Sequence, residues 1–126
     1  MNALIVDDSR VLRMHMRTML QGLGWDCTEA ASASYALEML HTGPSIELVL
    51  MDVNMPGMSG IECVRALRQK LPHDPFKVMM VTTEADFPLI SEALDSGANE
   101  FLMKPFTREG LMAKLLLLGF GVEAGV

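Results

Sequence analysis

Three aspartates, a threonine and a lysine carry the groups in this sequence whose placement could matter most for chemistry. Each follows a short apolar run. Asp7-Asp8 follow Ala3 to Val6, Asp52 follows Leu48 to Met51, Thr82-Thr83 follow Val78 to Val81, and Lys104-Pro105 follow Phe101 to Met103. Three carboxylates brought within a few ångströms repel, and at least one acquires a raised pKa unless a cation sits among them. A hard divalent ion with oxygen ligands relieves that repulsion. Mg²⁺ suits one or two carboxylates, a carbonyl and waters, with a position left for a phosphoryl oxygen. A carboxylate in that setting can act as a nucleophile and form an aspartyl phosphate. Phosphoryl transfer asks for in-line positioning and charge neutralisation more than for covalent help. Lys104 would add neutralising charge, and the Thr82 hydroxyl would donate to a phosphoryl oxygen. A single aspartate in such a place is ordinarily a solvated strand end or a helix cap. Three of them, joined by a lysine and a hydroxyl on neighbouring runs, are not explained that way.

These residues need a scaffold that gathers the ends of distant segments. The apolar runs, with a weaker one over Cys27 to Ala30, read as strands, and three lack alternation, as strands buried on both faces do. Amphipathic segments separate them. Leu12, Met16, Met19, Leu20 and Leu23 share one face of the first, with Arg10, Arg13 and Arg17 on another, Ser9 placed to cap it and Gly22 or Gly24 to end it. Ala33, Ala36, Leu37 and Leu40 line the second, before Gly43-Pro44. Ile61, Val64, Leu67 and Leu71 line the third, before Pro72. Ile90, Ala93, Leu94 and Gly97 share a face of the fourth, with Asp86 near its start and Pro88 in its first turn. Leu111, Leu115 and Leu118 line the fifth. Five strand–helix repeats predict an α/β fold, a five-stranded parallel sheet with right-handed crossovers and helices on both faces. The flavodoxin-like strand order 2-1-3-4-5 would bring ligands to the carboxyl ends of the strands, where the order switches. Residues 119–126 read as a helix end and a frayed terminus.

The chain has 126 residues, which suits a single domain over 1–126. Half its residues are hydrophobic and 21% are charged, a globular composition. A formal net charge of -6 gives no basic footprint, so nucleic acid is not an expected partner. Cys27 and Cys63 lack metal-ligand spacing and read as small buried hydrophobes in a reducing compartment. Met1-Asn2-Ala3-Leu4 does not open a signal peptide, and no stretch is long enough to span a membrane; a cytoplasmic protein is expected. Twelve methionines should mostly fill core gaps. His15, His41 and His73 are scattered, and Trp25 should sit before the second strand, far from Asp52. Leu116 and Leu117 fall off the main face of the fifth helix and would leave apolar surface near the chain end, for a monomer or a weak dimer.

Four stretches, in order and at these spacings, carry a specific resemblance. They are Leu4-Ile5-Val6-Asp7-Asp8-Ser9, the run from Met51-Asp52-Val53-Asn54 through Met55-Pro56-Gly57-Met58-Ser59-Gly60, Val81-Thr82-Thr83-Glu84-Ala85, and Gly97-Ala98-Asn99-Glu100-Phe101-Leu102-Met103-Lys104-Pro105-Phe106. From about Ala3 to Leu118 the chain resembles the response-regulator receiver domains of two-component signalling, and among them the stand-alone chemotaxis type.

The resemblance implies roles. Asp52 would be the phosphoacceptor. Asp8, Asp52 and the backbone carbonyl of Asn54 would ligate Mg²⁺, with Asp7 acting largely through water. Thr82 and Lys104 would hold the phosphoryl group. Thr82 would then move toward it, and Phe101 would swing inward. The Lys104-Pro105 bond is expected to be cis. The fourth helix, fifth strand and fifth helix, with Phe101 and Lys114, would form the output surface. Thr83, bulkier than the alanine or glycine often found there, is expected to hinder water or a phosphatase. Phe101 stands where the best-known chemotaxis form has tyrosine, so a hydroxyl-mediated partner contact is not expected. Implied partners are a sensor histidine kinase, an output protein such as the flagellar motor switch, and a phosphatase. Its own chemistry would be limited to self-phosphorylation and autodephosphorylation, not enzymatic turnover. Two alternatives share parts of the pattern. One is a receiver of a non-chemotaxis pathway or a phosphorelay intermediate. The other is an aspartate-nucleophile phosphohydrolase of the haloacid-dehalogenase type, which wants an aspartate where this chain has Asn54.

Overall fold

The computed structural model describes residues 1–72 and 74–121. His73 and the last part of the expected frayed tail, 122–126, lie outside the described residues. Strands β1 (Asn2–Val6), β2 (Asp26–Ala30), β3 (Leu48–Asp52), β4 (Lys77–Thr82) and β5 (Glu100–Met103) alternate with helices α1 (Arg10–Gly22), α2 (Ala33–Thr42), α3 (Gly60–Lys70), α4 (Ile90–Asp95) and α5 (Arg108–Leu117). The sheet has the order β2-β1-β3-β4-β5, and every neighbouring pair is parallel.

The apolar runs form strands because the sheet is covered on both faces. Leu4, Val6, Val49, Met51, Val78 and Met80 point into one core, completed by buried residues of α2, α3 and α4. Ala3, Ile5, Leu48, Leu50, Met79 and Val81 point into the other, closed by α1 and α5. Met51 on β3 and Met79 and Met80 on β4 are fully buried, as gap-filling methionines should be. Ser9, Ser32, Ser59 and Thr107 cap α1, α2, α3 and α5, each accepting a backbone N–H of the first turn. Each such cap contributes about 1 kcal/mol. At α3, Glu62 reaches back to the Ser59 N–H and completes a capping box.

The fourth segment is shorter than its periodicity predicts. A 3₁₀ turn over Phe87–Leu89 precedes α4, with Pro88 inside it. Only Ile90 and Ala93 are buried on α4, whereas Leu94 is 41% exposed. Leu94 instead lines an open groove of about 380 Å³ with Phe87, Ile90 and Phe101. The helix end expected after α5 is present. Gly119 takes a φ of 92°, and Phe120 turns back to donate its N–H to the Leu115 carbonyl. The Phe120 ring packs edge-on against Trp25 with centroids 5.0 Å apart. Trp25 immediately precedes β2, so it lies at the sheet end where the strands begin, opposite the end of β3 that carries Asp52.

Cys63 is buried, and burial pushes its thiol up to about 12. Burial likewise raises Cys27 to about 11. The raised values keep both in the thiol form; Cys63 is buried as expected, whereas Cys27 is only half-buried. Leu116 and Leu117 are exposed, at 58% and 72%. Among the described residues, no helix is long and apolar enough to cross a membrane.

Candidate functional site: an acidic pocket at the switch point of the sheet

The chain leaves β1 toward β2 on one side and enters β3 on the other, so β1 and β3 flank the point where the strand order reverses. Crossovers diverge there and open a crevice at the carboxyl ends of the strands. Asp7 and Asp8 follow β1, Asp52 ends β3, Thr82 ends β4 and Lys104 follows β5. All five residues singled out in the sequence therefore stand along one edge.

The three carboxylates converge, with one oxygen from each of Asp7, Asp8 and Asp52 within 4.8 Å of the others. Asp7 is fully buried, Asp52 is nearly so at 8%, and Asp8 is exposed. The Lys104 ammonium lies 3.6 Å from Asp7 Oδ2 and 3.6 Å from Asp52 Oδ1. At those distances it attracts both without making a hydrogen bond to either. The Ser9 N–H donates to Asp7 Oδ1 at 2.8 Å, and the Asn54 N–H donates to Asp52 Oδ1 at 3.3 Å. The other Asp7 oxygen, Oδ2, is buried with no hydrogen-bond partner among the described residues. Burial pushes the Asp52 carboxyl above the usual carboxylate range. Repulsion from Asp7 adds to this, while Lys104 and the Asn54 N–H oppose it.

Three carboxylates and one ammonium leave two uncompensated negative charges, the charge of one divalent ion. The donor set is all oxygen and includes an orphaned buried carboxylate oxygen. It fits a hard cation such as Mg²⁺.

Thr82 is buried, and its hydroxyl donates to the Thr83 carbonyl at 3.1 Å. In this state it is engaged away from Asp52. Thr83 is itself occupied, with its hydroxyl 3.2 Å from both Asp86 Oδ2 and the Asp86 N–H. The Lys104-Pro105 bond is cis, as expected. Phe101 is half-buried between two partners. The Phe87 ring meets it edge-on at 5.4 Å, and the Lys114 ammonium sits 4.1 Å above its ring. Lys114 also pairs with Glu100 at 2.9 Å. Burial would raise the Glu100 carboxyl, but the Phe101 N–H and Lys114 outweigh it and hold the carboxyl below its ordinary value.

Residues 3–116 match the response regulator receiver domain family. This chain belongs to that family. The receiver is 42% identical to the chemotaxis protein CheY of Pseudomonas aeruginosa over 118 residues, covering 91% of this chain and 93% of that protein. It is 41% identical to CheY-3 of Vibrio cholerae, covering 91% of this chain and 88% of that one. Among solved structures it resembles chemotaxis protein CheY4 of Vibrio cholerae, with a TM-score of 0.83, 33% identity and coverage of 92% of this chain and 96% of that chain. A probable two-component response regulator/GGDEF domain protein is equally similar in fold, with a TM-score of 0.86 and 33% identity; this receiver spans 48% of that chain. The receiver is thus that of a CheY-like response regulator, in keeping with two-component signalling and chemotaxis.

Two participants at the site gave no signal in the sequence. Arg13 donates through Nη1 to the Asp7 carbonyl at 2.7 Å, and its partner Glu29 lies on β2. The sequence places Arg13 with Arg10 and Arg17 on a helix face apart from the apolar one. Only the pairing of β1 with β2 brings Glu29 into reach.

Proposed function

We propose that this receiver accepts a phosphoryl group on Asp52 from a histidine kinase, in a Mg²⁺-dependent reaction, and passes the state on in a chemotaxis pathway as a change in partner binding. The observation that carries this reading is the Lys104 ammonium poised 3.6 Å from both Asp52 and Asp7 within a cluster of three converging carboxylates. Asp8, Asp52 and the Asn54 carbonyl would hold Mg²⁺, with Asp7 acting largely through water. When bound, the ion neutralises charge on the transferring phosphoryl group.

The steps assigned to the chain's own residues follow. An Asp52 carboxylate oxygen attacks phosphorus in line, the P–O bond to Asp52 forms, and the P–N bond to the kinase histidine breaks. Lys104 steadies one phosphoryl oxygen. The Thr82 hydroxyl leaves the Thr83 carbonyl and donates to another, which draws the end of β4 toward the site. Phe101 then moves inward, away from Phe87 and Lys114. The surface of α4, β5 and α5 changes shape and is read by a partner such as the flagellar motor switch. A switch of this kind needs a differential interaction of only a few kcal/mol. The receiver modifies itself and does not turn over external phosphate esters.

Transfer from a phosphorylated chemotaxis-type kinase should exceed transfer from kinases of other pathways, and the phosphorylated chain should gain binding to a motor-switch peptide. Phosphorylation only by non-chemotaxis kinases would favour the second reading, a receiver of another pathway or a relay intermediate. The fold similarity to a receiver joined to a GGDEF domain supports that alternative.

Thr83 is assigned to lifetime. Its side chain closes the turn to Asp86 beside the switch threonine and restricts approach of water or a phosphatase. Thr83→Ala should shorten the aspartyl-phosphate half-life, and equal half-lives in variant and parent would sink that assignment.

A further inference from the structure

We propose that Arg13 is a positioning residue for the cation site, holding the Asp7–Asp8 peptide in the orientation from which Asp8 reaches the ion. The proposal rests on the Mg²⁺ reading above.

Asp7 is pinned along most of its length. Its N–H donates to the Ala30 carbonyl at 3.1 Å, and its side chain accepts from the Ser9 N–H. Its carbonyl accepts from Arg13 Nη1 at 2.7 Å, a short charge-assisted bond. That carbonyl belongs to the peptide leading into Asp8. The peptide is planar, so fixing the oxygen fixes the plane and the direction in which Asp8 leaves it. The Asp8 carboxylate is exposed, so backbone placement is its chief source of order.

Arg13 is itself anchored. Its Nε donates to Glu29 Oε1 at 3.0 Å, and the side chains are only 14% and 22% exposed. Arg17 holds the second oxygen of Glu29 at 2.7 Å and donates to the Cys27 carbonyl at 2.7 Å. Two arginines on α1 therefore share one carboxylate on β2, but only Arg13 extends to the end of β1. Lysine lacks the fork needed to serve both the carbonyl and the carboxylate with fixed geometry.

Partners that orient metal ligands from behind typically contribute 10- to 100-fold to metal affinity. Arg13→Ala should weaken Mg²⁺ binding by about 10-fold, read from amide chemical shifts during a Mg²⁺ titration. Arg13→Lys should keep the fold and fall between Ala and parent. Arg17→Ala removes a bond to the same Glu29 without touching Asp7 and should bind Mg²⁺ like the parent. Phosphorylation of Arg13→Ala by acetyl phosphate should be slow at low Mg²⁺ and return to the parent rate at saturating Mg²⁺. Equal weakening by Arg13→Ala and Arg17→Ala would show general loosening of α1 and overturn the proposal, as would unchanged affinity in both Arg13 variants. A parent that binds no Mg²⁺ would overturn the reading of the site itself, and the proposal with it.

Discussion

An Asp52→Asn protein is expected to take up no phosphoryl group and, without Mg²⁺, to melt at a higher temperature than the parent. The first outcome follows because an amide cannot replace the attacking carboxylate. The second follows from the electrostatics of the pocket. Burial, then Asp7, raises the Asp52 carboxyl above its unfolded value. A carboxyl raised in this way stabilises the fold below its unfolded pKa, and that stabilisation is lost as pH rises through the folded pKa. At neutral pH the metal-free parent therefore carries a repulsion that asparagine lacks, while the asparagine oxygen can still accept from the Asn54 N–H. Calorimetry in chelator should show the parent Tm falling as pH rises out of the carboxylate range, with a flatter profile for the variant. Mg²⁺ should raise the Tm of the parent more than that of the variant. A variant less stable than the parent at neutral pH, or one still phosphorylated, would contradict this account.

Gly60→Ala should be the most damaging single-methyl change at the site. Gly60 opens α3, and its N–H donates to the Val53 carbonyl at 3.0 Å. A Cβ at Gly60 would lie 2.1 Å from the Asp52 carbonyl oxygen and 3.0 Å from Met80 Cε. The first obstacle is backbone, which cannot step aside as a flexible side chain can. Alanine gains up to about 1 kcal/mol in helix propensity, but overpacking on this scale costs about 3 kcal/mol and outweighs it. Tm should fall by on the order of 10 °C, and phosphorylation should slow because the displaced segment carries Asp52. Gly22→Ala is the matched control. A Cβ there meets nothing within 4 Å, so that variant should be as stable as the parent or more so. Equal stability of the two alanine variants in denaturant melts would refute the packing argument.

The sheet and the acidic pocket were readable in the sequence for a common reason. Strands buried on both faces must be continuously apolar, so the first polar residue after each run marks the sheet edge where ligands collect. Asp7, Asp52, Thr82 and Lys104 were each found by that rule. Arg13 was not, because its partners are a backbone carbonyl and a glutamate on another strand, neither of which leaves a local pattern. At Leu94 the helical spacing matches the core face of the fourth helix, but a 3₁₀ entry and a six-residue helix leave the side chain beside Phe101 and solvent. Phe120 falls in the stretch 119–126 that reads in the sequence as a helix end and a frayed terminus. Its ring packs against Trp25, which spacing alone does not reveal. The direction of the Thr82 hydroxyl, engaged with the Thr83 carbonyl, is a rotamer and has no sequence signal.

On the proposed function, Asp52 is the phosphoacceptor of a Mg²⁺-dependent site. Intact-mass spectrometry of the chain incubated with acetyl phosphate tests it most directly, with Mg²⁺ or with chelator, followed by mapping of the modified peptide. One added phosphoryl group is expected, present only with Mg²⁺ and located on Asp52. No added mass, or a phosphoryl group carried by any other residue, would contradict it.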